Sequence, residues 1–275
     1  MTVAVELGVD VDPEELLATA RAAAEEAAVL LVQGRPARLG VASTKSSPTD
    51  VVTEMDTASE KLIKAAIRRA RPEDGFLGEE GGTEDGASGV RWVIDPIDGT
   101  VNYLYGQPAW AVSIGAEVGG QVVAGVVLAP QLGELYTAVR GGGAWLGERR
   151  LGVGAPQGLD RALVATGFGY RAERRERQGE IVSGLIGRVR DIRRGGSAAL
   201  DLCAVAAGRA DGYFERGTQP WDRAAGALIA TEAGARVEGF HGAPASESMV
   251  LAAGPGLFPV LHEALVGLGA DEPGY

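Results

Sequence analysis

The stretch from Trp92 to Tyr105, WVIDPIDGTVNYLY, constrains this chain more than any other. Trp92, Val93 and Ile94 read as the end of a buried strand, and Asp95 follows at the point where Pro96, with no N–H to donate, is expected to stop the ladder and start a loop. Asp98 comes three residues after Asp95, and Gly99 and Thr100 lead into a short segment whose backbone N–H groups are free to face an anion, as at any helix start. Acids and anion donors in one loop call for something positive between them, and a hard divalent cation held by oxygen ligands meets that need. An Asp-Gly turn alone is common punctuation. Two other segments supply context: Phe76-Leu77-Gly78-Glu79-Glu80 is a second short apolar run ending in acids, and Trp221-Asp222 opens an apolar helical run.

In these letters, and in their order and spacing, the chain resembles the inositol monophosphatase family. The resemblance is carried by GEE at Gly78 to Glu80, DPIDGT at Asp95 to Thr100 and WDRAAG at Trp221 to Gly226, with Lys45-Ser46-Ser47-Pro48 and Asp50-Val51-Val52-Thr53-Glu54-Met55-Asp56 upstream. It runs from about Glu14 to about Leu268. It implies an α/β (α+β) fold, a layered α-β-α-β-α sandwich of the inositol monophosphatase and fructose-1,6-bisphosphatase type, with the active site between two halves and commonly a homodimer. The halves are expected at 1–150, an α+β part with an antiparallel sheet and the metal-binding motifs, and 151–275, an α/β part, together one catalytic unit.

Composition narrows the partners. With 275 residues, 45% of them hydrophobic, the chain can bury one large core or two fused ones. Its net charge of −11 opposes binding to a phosphate backbone and favours metal cations, so nucleic acid is not an expected partner. One cysteine excludes an internal disulfide; Cys203 lies in an apolar helical run and reads as an inert core thiol in a reducing compartment. No apolar stretch reaches the roughly 18–20 residues that span a bilayer, and Met1 to Val11 has no basic start, so a cytoplasmic protein without a membrane partner is expected.

Along the chain, Asp12-Pro13-Glu14-Glu15 predicts a capped helix running to Gly34, with an apolar stripe from Leu16 to Leu31 that must pack on something. Val51 to Ala70 predicts a second helix, ended by Arg71-Pro72. Gly81 to Gly89 reads as a flexible loop beside the acids. From Trp110 to Leu146, Val-rich runs broken by glycine pairs predict antiparallel strands. After Leu159, strands and helices alternate: Ala162 to Thr166, a polar helix to Arg190, Ile192, Ser197 to Ala207, Gly212 to Phe214, Trp221 to Ala233, Met249 to Ala252 and Leu257 to Leu268. Arg171 to Arg194 interleaves eight arginines with four acids and reads as a solvated amphipathic segment.

The chemistry follows by exclusion and by resemblance. No G-x-S-x-G is present, and His241 and His262 lie in late, weakly patterned positions, which disfavours a nucleophilic hydrolase. Metal-assisted hydrolysis with water as nucleophile remains: Glu79, Asp95, Asp98 and Asp222 would carry four negative charges that two Mg²⁺ ions would cancel, letting a small phosphate monoester approach. The resemblance implies the assignment: Glu79, Asp95 and the Ile97 carbonyl on one ion, Asp95, Asp98 and Asp222 on a second, and a third ion near Glu79. It also implies that Glu79 and Thr100 activate the water with Asp56 behind Thr100, and that Gly99 and Thr100 hold phosphate oxygens. Gly196, Ser197, Ala198 and Glu215 match the family's positions for the substrate alcohol; Lys45 and Glu80 match its mobile loop and second acid. Lithium sensitivity is implied as well. The implied activity is hydrolysis of myo-inositol 1-phosphate; histidinol phosphate, fructose 1,6-bisphosphate and an adenosine bisphosphate remain alternative substrates. A transcription-associated binding role remains the non-enzymatic alternative.

Overall fold

The computed structural model describes residues 11–37, 39–45, 47–48, 50–156 and 158–272, so Ser46 and most of the Met1 to Val11 stretch lie outside the described residues. Helix α1 (Pro13–Gln33) starts as its first residues dictate: Asp12 is extended and accepts the Glu14 N–H at 3.0 Å, and Pro13 takes the first helical position. Strands β1 (Ser43–Thr44) and β2 (Val51–Val52) pair antiparallel. The helix expected from Val51 therefore begins later, as α2 (Glu54–Ala70): Thr53 and Asp56 close a reciprocal capping box, and the β-branched pair before it is extended.

Strands β3 (Gly75–Gly78), β4 (Gly82–Glu84) and β5 (Val90–Asp98) follow. β4 falls inside the expected loop at 81–89. It pairs antiparallel with β3 as a short edge strand, and Glu84 there takes Lys64 at 2.9 Å and pairs with Arg68, charges of the kind that protect an edge. After the short helix α3 (Thr100–Leu104) come β6 (Ala111–Val118), β7 (Gln121–Ala129), β8 (Glu134–Val139), β9 (Gly143–Leu146) and β10 (Arg149–Arg150), the expected antiparallel series. The first sheet has the order β10-β9-β8-β7-β6-β5-β3-β4, with only β3 and β5 parallel among its neighbours.

The second part contains β11 (Leu163–Thr166), α4 (Ala172–Ile186), β12 (Asp191–Arg193), α5 (Ala198–Ala206), β13 (Gly212–Glu215), α6 (Pro220–Glu232), β14 (Arg236–Glu238), β15 (Val250–Ala253) and α7 (Phe258–Val266). Its sheet has the order β12-β11-β13-β15-β14. β14 has no counterpart in the sequence reading, since three residues with two charges carry no strand period, and α4 stops at Ile186, short of Arg190.

Alternation along the strands builds the layers. Leu16, Ala20 and Leu31 of α1 and Ile63 and Ile67 of α2 cover Trp92, Ile94, Val112 and Ile114 on one face of the first sheet. Its other face, including Ala111 and Val127, packs on Ala225 and Ile229 of α6 and on Ala199 and Cys203 of α5, where the thiol is fully buried. The same two helices turn Leu202, Val205 and Ala230 to Ala165, Tyr213 and Ala252 of the second sheet. One residue along each strand, Val164, Phe214 and Leu251 face the opposite side, closed by α4 and α7. The result is the expected α-β-α-β-α sandwich. A Cβ at Gly125 would stand 3.1 Å from Ala225 Cα, so this glycine lets α6 lie close against the first sheet and brings Asp222 to the ends of its strands.

Candidate active site

The ends of β3, β5, β11 and β13 and the starts of α5 and α6 converge on one cavity of about 390 Å³. Glu79, Asp95, Asp98 and Asp222 all line it, together with Lys45, Thr100, Gly196, Ser197, Ala198 and Glu215.

At the end of β5 the expected break at Pro96 does not occur. Asp95 pairs with Ser113 and Asp98 with Ala111, so three steps on β5 span two on β6, a bulge in which the missing proline N–H costs no ladder bond. Asp95 and Asp98, 2% and 7% exposed, thereby reach the same cavity. The Ile97 N–H donates to Asp95 Oδ1 at 3.0 Å, and the Pro96 carbonyl accepts from Ser59 Oγ. Gly99, at φ +92°, makes the left-handed turn into α3, where a Cβ would meet the Ala109 and Gly196 carbonyls at 3.1 Å. Asn102 on α3 donates to the Gly195 carbonyl at 2.9 Å, a bond between the two halves that no motif announced.

Helix α2 presents Asp56, Glu60 and Lys64, spaced one turn apart, as a buried polar stripe. Asp56 accepts from Thr53 N at 2.8 Å through one oxygen and lies 3.0 Å from Thr100 Oγ1 through the other. Glu60 accepts the N–H groups of Glu80 and Gly81 at 2.8 and 2.9 Å and pairs with Lys64 at 2.7 Å, which fixes the turn carrying Glu79. The sequence reading singled out neither Glu60 nor Lys64; their spacing of four on a helix was the available signal. Lys45 reaches Glu79 Oε1 at 2.7 Å and Glu80 Oε1 at 2.6 Å. Burial works to lower the Lys45 pKa, but the pairs with Glu79 and Glu80 outweigh it and hold it above the usual value.

The opposite wall comes from the second half. The Ser197 hydroxyl donates to Asp98 Oδ2, which also accepts the Ala199 N–H at 2.7 Å, while Ala198 N reaches Asp98 Oδ1 at 3.3 Å. Ser197 and Ala198 are thus committed to holding Asp98 at the start of α5. Glu215 ends β13 and accepts from Tyr213 Oη at 2.8 Å. Its carboxylate lies over Gly167, where a Cβ would stand 1.9 Å from Oε2, so only glycine fits there. Arg216 and Arg223 turn instead to backbone carbonyls, of Ser248 and Thr218. Asp201, on α5, is 7% exposed and its Oδ2 has no hydrogen-bond partner among the described residues. Arg171, Arg174 and Arg194 also line the cavity, which corrects the reading of 171–194 as solvated throughout.

Burial dominates the electrostatics, and crowding adds to it at Asp95 and Asp222. Burial, then the charges of Glu79, Asp98 and Asp222, pushes the Asp95 carboxyl well above its ordinary range, and burial with Asp98 and Glu79 does the same to Asp222. Burial raises Glu79 to about 7 against the pull of Lys45. Asp98 stops at about 6, because the donors Ser197, Ala199 and Ala198 oppose burial. No three His, Cys, Asp or Glu side chains among the described residues are arranged to hold an ion as they stand, and Lys45 occupies one oxygen of Glu79. The donor chemistry nonetheless fits a hard cation: the set is all oxygen, anionic and buried, and its mutual repulsion is what a cation relieves.

The profile of the inositol monophosphatase family matches residues 12–268. The inositol-1-monophosphatase SuhB of Mycobacterium tuberculosis (strain H37Rv) is 46% identical over 284 residues, which cover 96% of this chain and 98% of that protein. The Nus factor SuhB of Pasteurella multocida (strain Pm70) is 44% identical over 222 residues, covering 80% of this chain and 83% of that protein. Among solved structures, Mycobacterium tuberculosis SuhB is similar with a TM-score of 0.82 at 45% identity, over 96% of this chain and 100% of that one. The chain belongs to the inositol monophosphatase family, and it is a phosphatase.

Proposed function

We propose that this enzyme is a Mg²⁺-dependent phosphomonoesterase acting on polyol phosphates, with myo-inositol 1-phosphate as its reference substrate. The observation that carries the reading is one cavity in which four crowded acids and Thr100, bonded to Asp56, lie with the carboxylate of Glu215. Glu79, Asp95, the Ile97 carbonyl, Asp98 and Asp222 would hold two to three Mg²⁺ ions, in keeping with a family that is generally metal-dependent. Bound there, Mg²⁺ would supply the positive charge that lets a phosphate approach these acids and that stabilises the leaving oxygen.

The chain's own groups do the rest. Asp56, buried and fixed by Thr53, orients the Thr100 hydroxyl and strengthens it as an acceptor, so that Thr100 accepts a hydrogen bond from the attacking water while the Glu79 carboxylate takes its proton. The N–H groups of Gly99 and Thr100 bind phosphate oxygens and follow them into the transition state. Glu215 accepts hydrogen bonds from vicinal hydroxyls, with Gly196 and the backbone of Ser197 and Ala198 beside it. A homodimer in the cytoplasm and inhibition by lithium belong to the same reading. The name of the Pasteurella relative favours a second role on the transcription apparatus; the complete acid set favours catalysis.

Release of inorganic phosphate from inositol 1-phosphate, histidinol phosphate and an adenosine bisphosphate, with Mg²⁺ and with chelator, tests this. The expected result is turnover of inositol 1-phosphate that needs Mg²⁺ and exceeds that of histidinol phosphate. Turnover indifferent to chelator, or a preference for histidinol phosphate, overturns it.

A further inference from the structure

Glu215 stands where two strands of the second sheet part. The β11–β13 ladder ends at the pair Thr166 and Phe214, one residue before Gly167 on one strand and Glu215 on the other. Beyond it the Glu215 carboxylate lies over Gly167, so its place depends on how the two departing chains are held. On its other side β13 keeps its partner, since Glu215 pairs with Val250 of β15. On the side toward Gly167 the ladder has ended, and a side chain takes over.

Gln178, in the second turn of α4, is 3% exposed and uses both ends of its amide across this gap. Its Oε1 accepts the Gly169 N–H at 2.8 Å, and its Nε2 donates to the Arg216 carbonyl at 3.3 Å. Gly169 is two residues past Gly167, and Arg216 is the residue after Glu215. An amide suits the task because it accepts and donates at once, whereas a carboxylate only accepts and an ammonium only donates. Arg216 is also held from the opposite side: its Nε donates to the Ser248 carbonyl at 2.7 Å and its Nη1 to the Glu272 carbonyl at 3.1 Å. Arg177, beside Gln178, donates to the Leu268 and Gly269 carbonyls of the same C-terminal turn. Helix α4, the 167–169 loop, the Glu215–Arg216 turn and the C-terminal turn thus close a ring around one carboxylate.

Resting on the reading of Glu215 as the acceptor for substrate hydroxyls, we infer that Gln178 is a positioning residue that sets the Glu215 carboxylate against the alcohol part of the substrate, and so governs the choice of alcohol without touching it. Gln178 does not line the cavity, and its two bonds reach only the chains on either side of Glu215. The phosphate end rests, on the same reading, on the ends of β3 and β5 and the start of α6. A substrate without a polyol therefore does not sense Gln178.

The test measures kcat and KM, with Mg²⁺, for myo-inositol 1-phosphate and for p-nitrophenyl phosphate, which carries no polyol. The wild-type enzyme, Gln178→Met, Gln178→Glu, Glu215→Gln and the double variant of Gln178→Met with Glu215→Gln are compared. Gln178→Met keeps the length of the side chain and loses both bonds; Gln178→Glu keeps the acceptor alone. Lowered stability reduces the active fraction for both substrates alike, so the ratio of their kcat/KM values is the readout. Gln178→Met is expected to lower kcat/KM for inositol 1-phosphate by about ten-fold, the size of one hydrogen bond, chiefly through KM, and that for p-nitrophenyl phosphate by less than about two-fold. The double variant then shows the same ratio as Glu215→Gln, because Gln178 acts through Glu215. If Gln178→Met gives no folded protein, Gln178→Glu decides by the same ratio. Equal losses on both substrates, no loss on either, or a double variant whose effects multiply, overturns the inference while Glu215→Gln by itself still moves the ratio. A Glu215→Gln ratio equal to that of wild type overturns the reading of Glu215 on which the inference rests.

Discussion

At the end of the first sheet, Glu79, Asp95 and Asp98 are buried within one another's field and within that of Asp222 from α6. At the end of the second sheet, Glu215 is equally enclosed, but Tyr213 donates to it and Arg194 stands near it. Both walls carry acids whose pKa values burial has raised, yet the reasons for keeping them differ. On the first wall the repulsion is mutual and neutral donors such as Ser197 at Asp98 and the Gln219 N–H at Asp222 offset it only in part, which is the condition for holding a cation. On the second wall Glu215 can rest as a hydrogen-bonding group against Tyr213, which is the condition for reading a neutral alcohol. Burial alone therefore does not assign a role; the company of the buried charge does.

The largest expected effect breaks the first wall. Asp95→Asn keeps the acceptor for the Ile97 N–H and removes one of the crowded charges, so phosphate release falls by about a hundred-fold or more while the metal-free protein melts at a higher temperature. A variant less stable than wild type in chelator would show that a buried, crowded charge is not what Asp95 costs the fold. Next in size, Thr100→Ala lowers kcat by roughly a hundred-fold with a smaller change in KM. Asp56→Asn resembles it, and the double variant is far from additive because the two act through one hydrogen bond. Additive kinetics would separate them.

Lys64→Ala tests the support beneath that wall. It leaves Glu60 buried without its ion pair and lowers unfolding free energy by about 3 kcal/mol in urea titrations, with a loss of activity from the loosened Glu79 turn. A loss below 1 kcal/mol would place Lys64 among the surface pairs. The smallest effect belongs to the second wall. Asp201 is raised to about 8 by burial, then by Glu215 and Asp98, from an ordinary value near 3.8. Between those limits the folded chain keeps a proton that the unfolded chain releases, so stability falls as pH rises, and the cost is complete above pH about 8. Asp201→Asn carries no such proton, and its melting temperature in chelator should exceed that of wild type by more at pH 8 than at pH 5. A difference that does not change with pH sinks this account.

Much of the site was legible because it is local. GEE, DPIDGT and WDRAAG each place an acid at the edge of an apolar run, and a strand or helix boundary in a compact fold lies at the rim of the core, where a ligand can reach it. The capping box at Thr53–Asp56 was equally local, though it was read as helix interior because two valines precede it. What stayed hidden was long-range. The Arg171 to Arg194 stretch reads as solvent-facing in one dimension, and nothing in it shows that Arg174 passes between Gly169 and Gly217, residues 48 apart in the chain. Glu60 looks like an ordinary helix charge until the turn at Glu80 lies over it.

From the sequence alone came the element types, the layer order by family resemblance and the acids themselves, because period, capping and turn chemistry act over a few residues. Only the tertiary structure decided how each acid is kept: Asp98 by Ser197 and the start of α5, about a hundred residues away, and Asp56 by Thr100. It also decided that Asp95 lacks comparable relief and that Arg174 and Arg194 line the same cavity. Those outcomes depend on which groups share a low-dielectric space, and it is the packing of two sheets through α5 and α6 that puts them there.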